Sequence, residues 1–147
     1  MGAKGYSVFG TYHRRYKKDL LHFNLSTMTL DQLPVDQKRI KYVIIAAGER
    51  VKLIDDSKKY WNEIYEINVH GIRRMLDECL HRNIVPVYLS TDHVFDGRKG
   101  DYRETDERHP ITSYGKMKYE IENHLLKSKG PYLIVRMGKV FGVGSKE

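Results

Sequence analysis

Along the chain, apolar runs of strand length alternate with segments whose apolar residues recur at helical spacing. Residues 6–13 (YSVFGTYH), 41–48 (KYVIIAAG), 84–91 (IVPVYLST) and 131–142 (PYLIVRMGKVFG) are rich in β-branched and aromatic residues and read as strands. A weaker strand candidate, residues 20–26 (LLHFNLS), lies between the first two. The runs at 41–48 and 131–142 are nearly continuous in apolar residues, the pattern of strands covered on both faces.

Two segments carry the helical period. Over residues 60–80, Ile64, Ile67, Gly71, Met75 and Cys79 recur at three- and four-residue steps and form one stripe, with Asn68 close to it. Over residues 113–129, Tyr114, Met117, Ile121 and Leu125 share a face, and Gly130 is placed as a C-terminal stop. Strands alternating with crossover helices predict an α/β fold built on a parallel, helix-covered sheet. No internal repeat, low-complexity tract or linker marks a second domain, and the one long polar loop is residues 95–110.

Composition narrows the function. The 147 residues suit a single domain, and 26 Lys and Arg against 19 Asp and Glu give a net charge of +7, which favours an anionic partner. The basic residues are scattered among acids without a nucleic-acid-binding signature, so nucleic acid is not the expected partner. The single Cys79 excludes an internal disulfide and fits a reducing compartment, from which a cytoplasmic location is expected; its apolar stripe makes it a core residue. No apolar run approaches the roughly 20 residues needed to span a bilayer.

The candidate chemistry lies where the third strong strand meets the second helix. In parallel sheets ligands sit beyond the carboxyl ends of strands, and Ser90, Thr91 and Asp92 stand at such an end. Tyr114 and Lys118 are one helical turn apart, so a phenol and an ammonium can face that strand end together. A carbonyl undergoing reduction needs a proton, and a nearby lysine charge brings a tyrosine, pKa near ~10, closer to working range. Thr91 could hold the carbonyl oxygen with a second hydrogen bond.

STDHVFDG (90–97), YRETDERHP (102–110), SYGKMK (113–118) and VRMGKVFG (135–142) follow one another in that order. Over residues 6–142 the chain resembles the extended short-chain dehydrogenase/reductase superfamily, and within it the dTDP-4-dehydrorhamnose reductase-like branch. The resemblance implies a Rossmann-type parallel sheet with helices on both faces, and NADPH-dependent reduction of a nucleotide-linked 4-keto-6-deoxy sugar. Tyr114 would be the catalytic acid/base, Lys118 the group that lowers its pKa and bonds the nicotinamide ribose, and Thr91 the binder of the substrate carbonyl. Ser90 would adjoin the cofactor, and Asp92 and His93 the substrate; relatives usually carry tyrosine at position 93. Ala46, Ala47 and Gly48 would let the dinucleotide approach, with ordinary small core residues as the alternative. Asn24 and Leu25 stand where the family has an acid and an aliphatic residue beside adenine. Asn68 matches a helix asparagine that acts as a buried hydrogen bonder. Arg136 matches an arginine before the family's VFG turn, with a snorkelling edge arginine as the alternative.

Cofactor choice is read at His13, Arg14 and Arg15. An acid at the end of the second strand of a dinucleotide fold would bond the ribose hydroxyl of NAD, whereas Arg14 and Arg15 suit the 2′-phosphate of NADP. The family opens with a strand and a GxxGxxG turn and closes with a substrate portion. Neither is found here, so residues 1–147 are expected to form a partial NAD(P)-binding domain of little activity by itself. The connection at residues 48–63 is longer than usual for the family. The partners expected are a nucleotide sugar and a second copy in a homodimer, with no membrane and no metal. Two alternatives are an epimerase or dehydratase of the same superfamily, and a non-catalytic subunit like the family's methionine adenosyltransferase regulatory relatives.

Overall fold

The computed structural model describes residues 5–49 and 58–139. In chain order it contains β1 (Thr11–Tyr12), β2 (Leu21–His22), β3 (Tyr42–Ile45), α1 (Lys58–Tyr65), a π-helical segment (Glu66–Gly71), α2 (Ile72–His81), β4 (Val85–Thr91), α3 (Ser113–Leu126) and β5 (Leu133–Met137), with short single turns between. β1 and β2 form a two-stranded parallel ladder, and β3, β4 and β5 a three-stranded parallel sheet with β4 central. Parallel strands joined by helices make the parallel sheet that the alternating pattern predicts, in the Rossmann-type arrangement that the resemblance implies.

Register decides what is buried. Val43 pairs with Pro86, Ile45 with Tyr88, Tyr88 on its other side with Ile134, and Ser90 with Arg136, so these side chains share one sheet face. Against Ile45 and Tyr88 pack Ile64, Val69, Ile72, Leu76, Cys79, Met117, Ile121 and Leu125, a single core cluster drawn from all three helices. The opposite face carries Tyr42, Ile44, Leu133 and Val135, all exposed, Ile44 by 65%. The runs at 41–48 and 131–142 predict cover on both faces; among the described elements the helices supply it on one.

Two expectations about element extent need correcting. Of residues 6–13 only Thr11 and Tyr12 are paired, because the ladder with β2 is two residues long; Tyr6, Val8 and Phe9 find no covering layer and are 68%, 67% and 64% exposed. Gly130 is not a helix stop: α3 ends at Leu126 with Lys127 as its right-handed cap, while Gly130 fits against Leu80, whose Cδ2 would lie 2.7 Å from an added β-carbon.

The long helix expected over 60–80 forms, with a π-helical turn in its middle. The extra residue in that turn rotates the buried stripe, so Asn68 and Val69 become buried beside Gly71 while Ile67 is only half-buried. Gly71 is required there: a β-carbon would meet the backbone oxygen of Leu25 at 2.9 Å, so the helix could not lie this close to the segment after β2.

Candidate active site

Four parallel strands end on segments chosen from the sequence: β1 runs into Arg14 and Arg15, β2 into Asn24 and Leu25, β3 into Ala46–Gly48, and β4 into Ser90–Asp92. Beyond β4 the chain makes one turn, Asp92–Val94, whose cap is Thr91. The buried Thr91 hydroxyl accepts from the backbone N–H of His93 at 3.3 Å and donates to Asp92 Oδ1 at 3.0 Å.

Helix α3 begins against this turn. Thr112 caps it, its hydroxyl accepting from the Gly115 N–H at 3.0 Å. Gly115 lies against the His93 carbonyl, which brings the half-buried Tyr114 ring edge-on to the His93 imidazole at 5.9 Å between centroids. One turn on, the Lys118 ammonium donates to the Leu89 carbonyl at 2.8 Å, over the Tyr88 ring at 4.7 Å and 5.7 Å from the Tyr114 ring centroid. The structure therefore gathers Thr91, Asp92, His93, Tyr114 and Lys118 at one strand end.

The electrostatics differ from the simple picture of a lysine drawing a phenol down. Burial, and then the negative charge of Asp92, push the Tyr114 phenol above its ordinary pKa in this ligand-free chain. Lys118 is the perturbed base: burial lowers it to about 8, against an opposing pull from Glu122. Tyr88 is wholly buried beneath it, its phenol pushed up by burial and then by Tyr114 and Glu122, and its hydroxyl has no hydrogen-bond partner among the described residues.

Glu122 escaped the sequence reading. It is fully buried and accepts hydrogen bonds from Ser90, Arg108 and Arg136. Burial would raise its carboxyl, but the hydrogen bonds from Arg136, Ser90 and Arg108 and the charge of Arg136 outweigh this and hold it below the ordinary carboxylate range. Its signal was available: an acid one turn after Lys118 in the buried stripe of α3, opposite an arginine in an apolar strand. Ser90 turns its hydroxyl onto the helix-covered face and bonds Glu122 at 2.6 Å.

On the other strands, Ala46, Ala47 and Gly48 are exposed, leaving open backbone at the end of β3. Asn68 fixes that end with both halves of its amide, accepting from the Glu49 N–H at 2.7 Å and donating to the Glu49 carbonyl at 2.9 Å. This is the buried hydrogen-bonding role expected of it. Arg14 pairs with Glu49 at 3.1 Å and joins the end of β1 to that of β3, its side chain still 62% exposed; Arg15 is exposed too. Asn24 folds its side-chain oxygen onto the Ser26 N–H at 3.0 Å, and Leu25 packs on the core. Exposed guanidinium groups beside a strand end free of bulky side chains fit an anionic dinucleotide. Among the described residues no cluster of acids, histidines or cysteines could hold a metal, and no helix is long and apolar enough to cross a membrane.

The family model described as RmlD substrate binding domain matches residues 24–147. The chain is 37% identical over 90 residues to dTDP-4-dehydrorhamnose reductase of Aggregatibacter actinomycetemcomitans, covering 60% of this chain and 31% of that protein. It is 32% identical over 100 residues to methionine adenosyltransferase 2 subunit beta of Danio rerio, covering 68% of this chain and 30% of that protein. The chain thus spans about a third of the length of these curated relatives. Among solved structures, a hypothetical dTDP-4-dehydrorhamnose reductase from Sulfolobus tokodaii superposes with a TM-score of 0.71 at 26% identity, covering 94% of this chain and 49% of that one. The dTDP-4-dehydrorhamnose reductase of Bacillus anthracis in complex with NADP gives 0.57 at 30% identity, covering 67% and 34%.

Proposed function

The chain belongs to the RmlD substrate binding domain family, within the extended short-chain dehydrogenase/reductase superfamily, and on that premise we propose that it carries the acid/base centre of an NADPH-dependent reductase acting on a nucleotide-linked 4-keto-6-deoxy sugar. One observation carries this reading: Tyr114 and Lys118 stand one turn apart on α3, against the turn formed by Thr91, Asp92 and His93. The bound NADPH would supply the hydride that goes to the carbonyl carbon. Tyr114, its phenol kept protonated by burial and by Asp92, donates its proton to the carbonyl oxygen, so that ketone becomes alcohol. Thr91 orients that oxygen once its hydroxyl, which donates to Asp92 Oδ1 in the ligand-free chain, turns to the substrate, and Asp92 and His93 line the sugar side. Lys118, held at the Leu89 carbonyl, reaches the nicotinamide ribose and stabilises the phenolate left after proton transfer. Arg14 and Arg15 take the 2′-phosphate, while Ala46, Ala47, Gly48, Asn24 and Leu25 accommodate the adenosine half. NADP in the Bacillus anthracis relative supports this choice of cofactor.

The test is reduction of dTDP-4-dehydrorhamnose by the full protein, with residues 1–147 alone expected to turn over little, using NADPH and NADH and following cofactor oxidation and the sugar product. NADPH-dependent formation of the alcohol is expected; epimerised or dehydrated sugar with no net cofactor consumption would replace the reductase by its superfamily alternatives. A second reading, a regulatory subunit, is favoured by the likeness to methionine adenosyltransferase 2 subunit beta. It predicts no turnover and tight association with a methionine adenosyltransferase catalytic chain.

A further inference from the structure

Glu122 is a meeting point of four parts of the chain. From β4, Ser90 Oγ donates to Glu122 Oε1 at 2.6 Å; from β5, Arg136 donates from Nε and Nη2 at 2.9 and 2.8 Å; from the end of the long polar loop, Arg108 donates from Nη1 at 2.7 Å. Each arginine holds the loop a second time. Arg108 Nη2 donates to Asn123 Oδ1 at 2.8 Å with its guanidinium 4.8 Å from the Tyr119 ring centroid, and Arg136 Nη1 donates to the Glu104 carbonyl at 3.1 Å with its guanidinium 5.2 Å from that of Phe95. Phe95 in turn stacks on Tyr102 at 4.3 Å, closing the loop on itself.

The arrangement is costly to build and directional in what it fixes. A buried carboxylate is tolerated only when its lone pairs are met by well-placed donors, and a buried ion-pair network holds its members in one geometry. Glu122 lies one turn beyond Lys118 on the helix that carries Tyr114; it bonds Ser90 beside Thr91 and Arg108 near the C-terminal end of the 95–110 loop, and through Arg136 of β5 it reaches Glu104 and Phe95 in the rest of that loop. We propose that Glu122 is a positioning residue that locks the polar loop and the Ser90–Asp92 strand end onto α3, so that the loop and the acid/base pair move as one unit. What the pair does chemically rests on the reductase reading; the clamp does not.

Glu122→Gln keeps the side-chain size but leaves two guanidinium groups facing a neutral amide, and it can fail to fold. Arg108→Ala is the gentler variant, because it leaves Glu122 paired one-to-one with Arg136. Arg108→Lys restores a single charged contact. In the full protein each is compared with wild type by thermal midpoint, by trypsin cleavage after the exposed Arg98 and Lys99, by acylation of Lys118 read by mass spectrometry, and by kcat and KM.

Cleavage follows the population of the open loop, so losing one charge-assisted contact is expected to speed it by about tenfold in Arg108→Ala while the fold persists. Lys118 labelling should quicken with it, kcat should fall with KM for NADPH unchanged, and Arg108→Lys should recover part of each. Loop cleavage at the wild-type rate, or faster cleavage with Lys118 labelling unchanged, overturns the proposal. If the wild-type protein reduces no nucleotide sugar, the reductase reading fails by itself, and cleavage and labelling still decide the clamp.

Discussion

The carbonyl oxygen of His93 occupies the space that a β-carbon on Gly115 would need. The same added carbon would stand 3.0 Å from the Thr112 hydroxyl that caps α3. Because the obstacle is backbone and not the tip of a flexible side chain, the helix would have to retreat from the strand end. Gly115→Ala is therefore expected to lower stability by about 1–3 kcal/mol, the usual cost of overpacking. It should also cut turnover, since displacing a catalytic group by about 1 Å can cost on the order of a hundredfold. Thermal midpoint and kcat measured together check this, and wild-type values for both would contradict the contact.

Arg14 and Arg15 follow β1 with their side chains open to solvent, Arg14 in an ion pair with Glu49. A 2′-phosphate offers them a stronger partner than the surface ion pair they would give up. Replacing both by alanine should weaken NADPH by roughly ten- to a hundredfold and leave NADH little changed. Titration with each cofactor measures this; equal losses would mean that these arginines do not read the phosphate.

The order of elements was legible because burial on one side leaves a periodic trace. Ile64, Met75 and Cys79 on the long helix, and Met117, Ile121 and Leu125 on α3, are buried as their spacing predicts. Residues 6–13 misled because an aromatic, β-branched run states a preference for the extended chain without saying whether a partner strand lies alongside. The π-helical turn was invisible because periodicity assumes one residue count per turn, and Asn68 reached the core through the turn that broke the count. Of the site, Thr91, Tyr114 and Lys118 could be found as side chains of reactive type at helical and strand-end positions. Glu122 was passed over because a glutamate on a helix is read as solvated until the arginines that neutralise it are placed in space.

Acid titration should separate Glu122 from the surface ion pairs. Its folded-state pKa is depressed, so its contribution to stability is fully present above the unfolded carboxylate value of about 4.3 and is lost as pH falls through the lower folded value. Wild type should therefore lose thermal stability steeply below about pH 4, and Glu122→Gln should be less stable at neutral pH with a flatter profile. Midpoints recorded from neutral pH to strong acid test this, and parallel curves for the two proteins would show that Glu122 titrates alike in folded and unfolded chains.

Tyr114 and Lys118 make separable demands on the kinetics. Tyr114→Phe removes the transferable proton and little else, so it should lower kcat by roughly 10²–10⁴-fold, the usual worth of a general acid, with the thermal midpoint nearly unchanged. Lys118 titrates at about 8 in the ligand-free chain, so its ammonium is present below that pH and lost above it. Since kcat/KM reports groups of the free enzyme, it should fall as pH rises through about 8, and Lys118→Met should abolish that limb while weakening NADPH through the lost ribose contact. Lys118→Met should also change stability with a definite sign. The buried ammonium costs folding free energy at neutral pH, a cost that shrinks as pH rises from about 8 toward the ordinary lysine value, so the variant should gain stability relative to wild type at pH 7 by more than it does at pH 10. If Tyr114→Phe keeps more than about a tenth of wild-type kcat, Tyr114 is not the proton donor and its place against His93 is a packing contact.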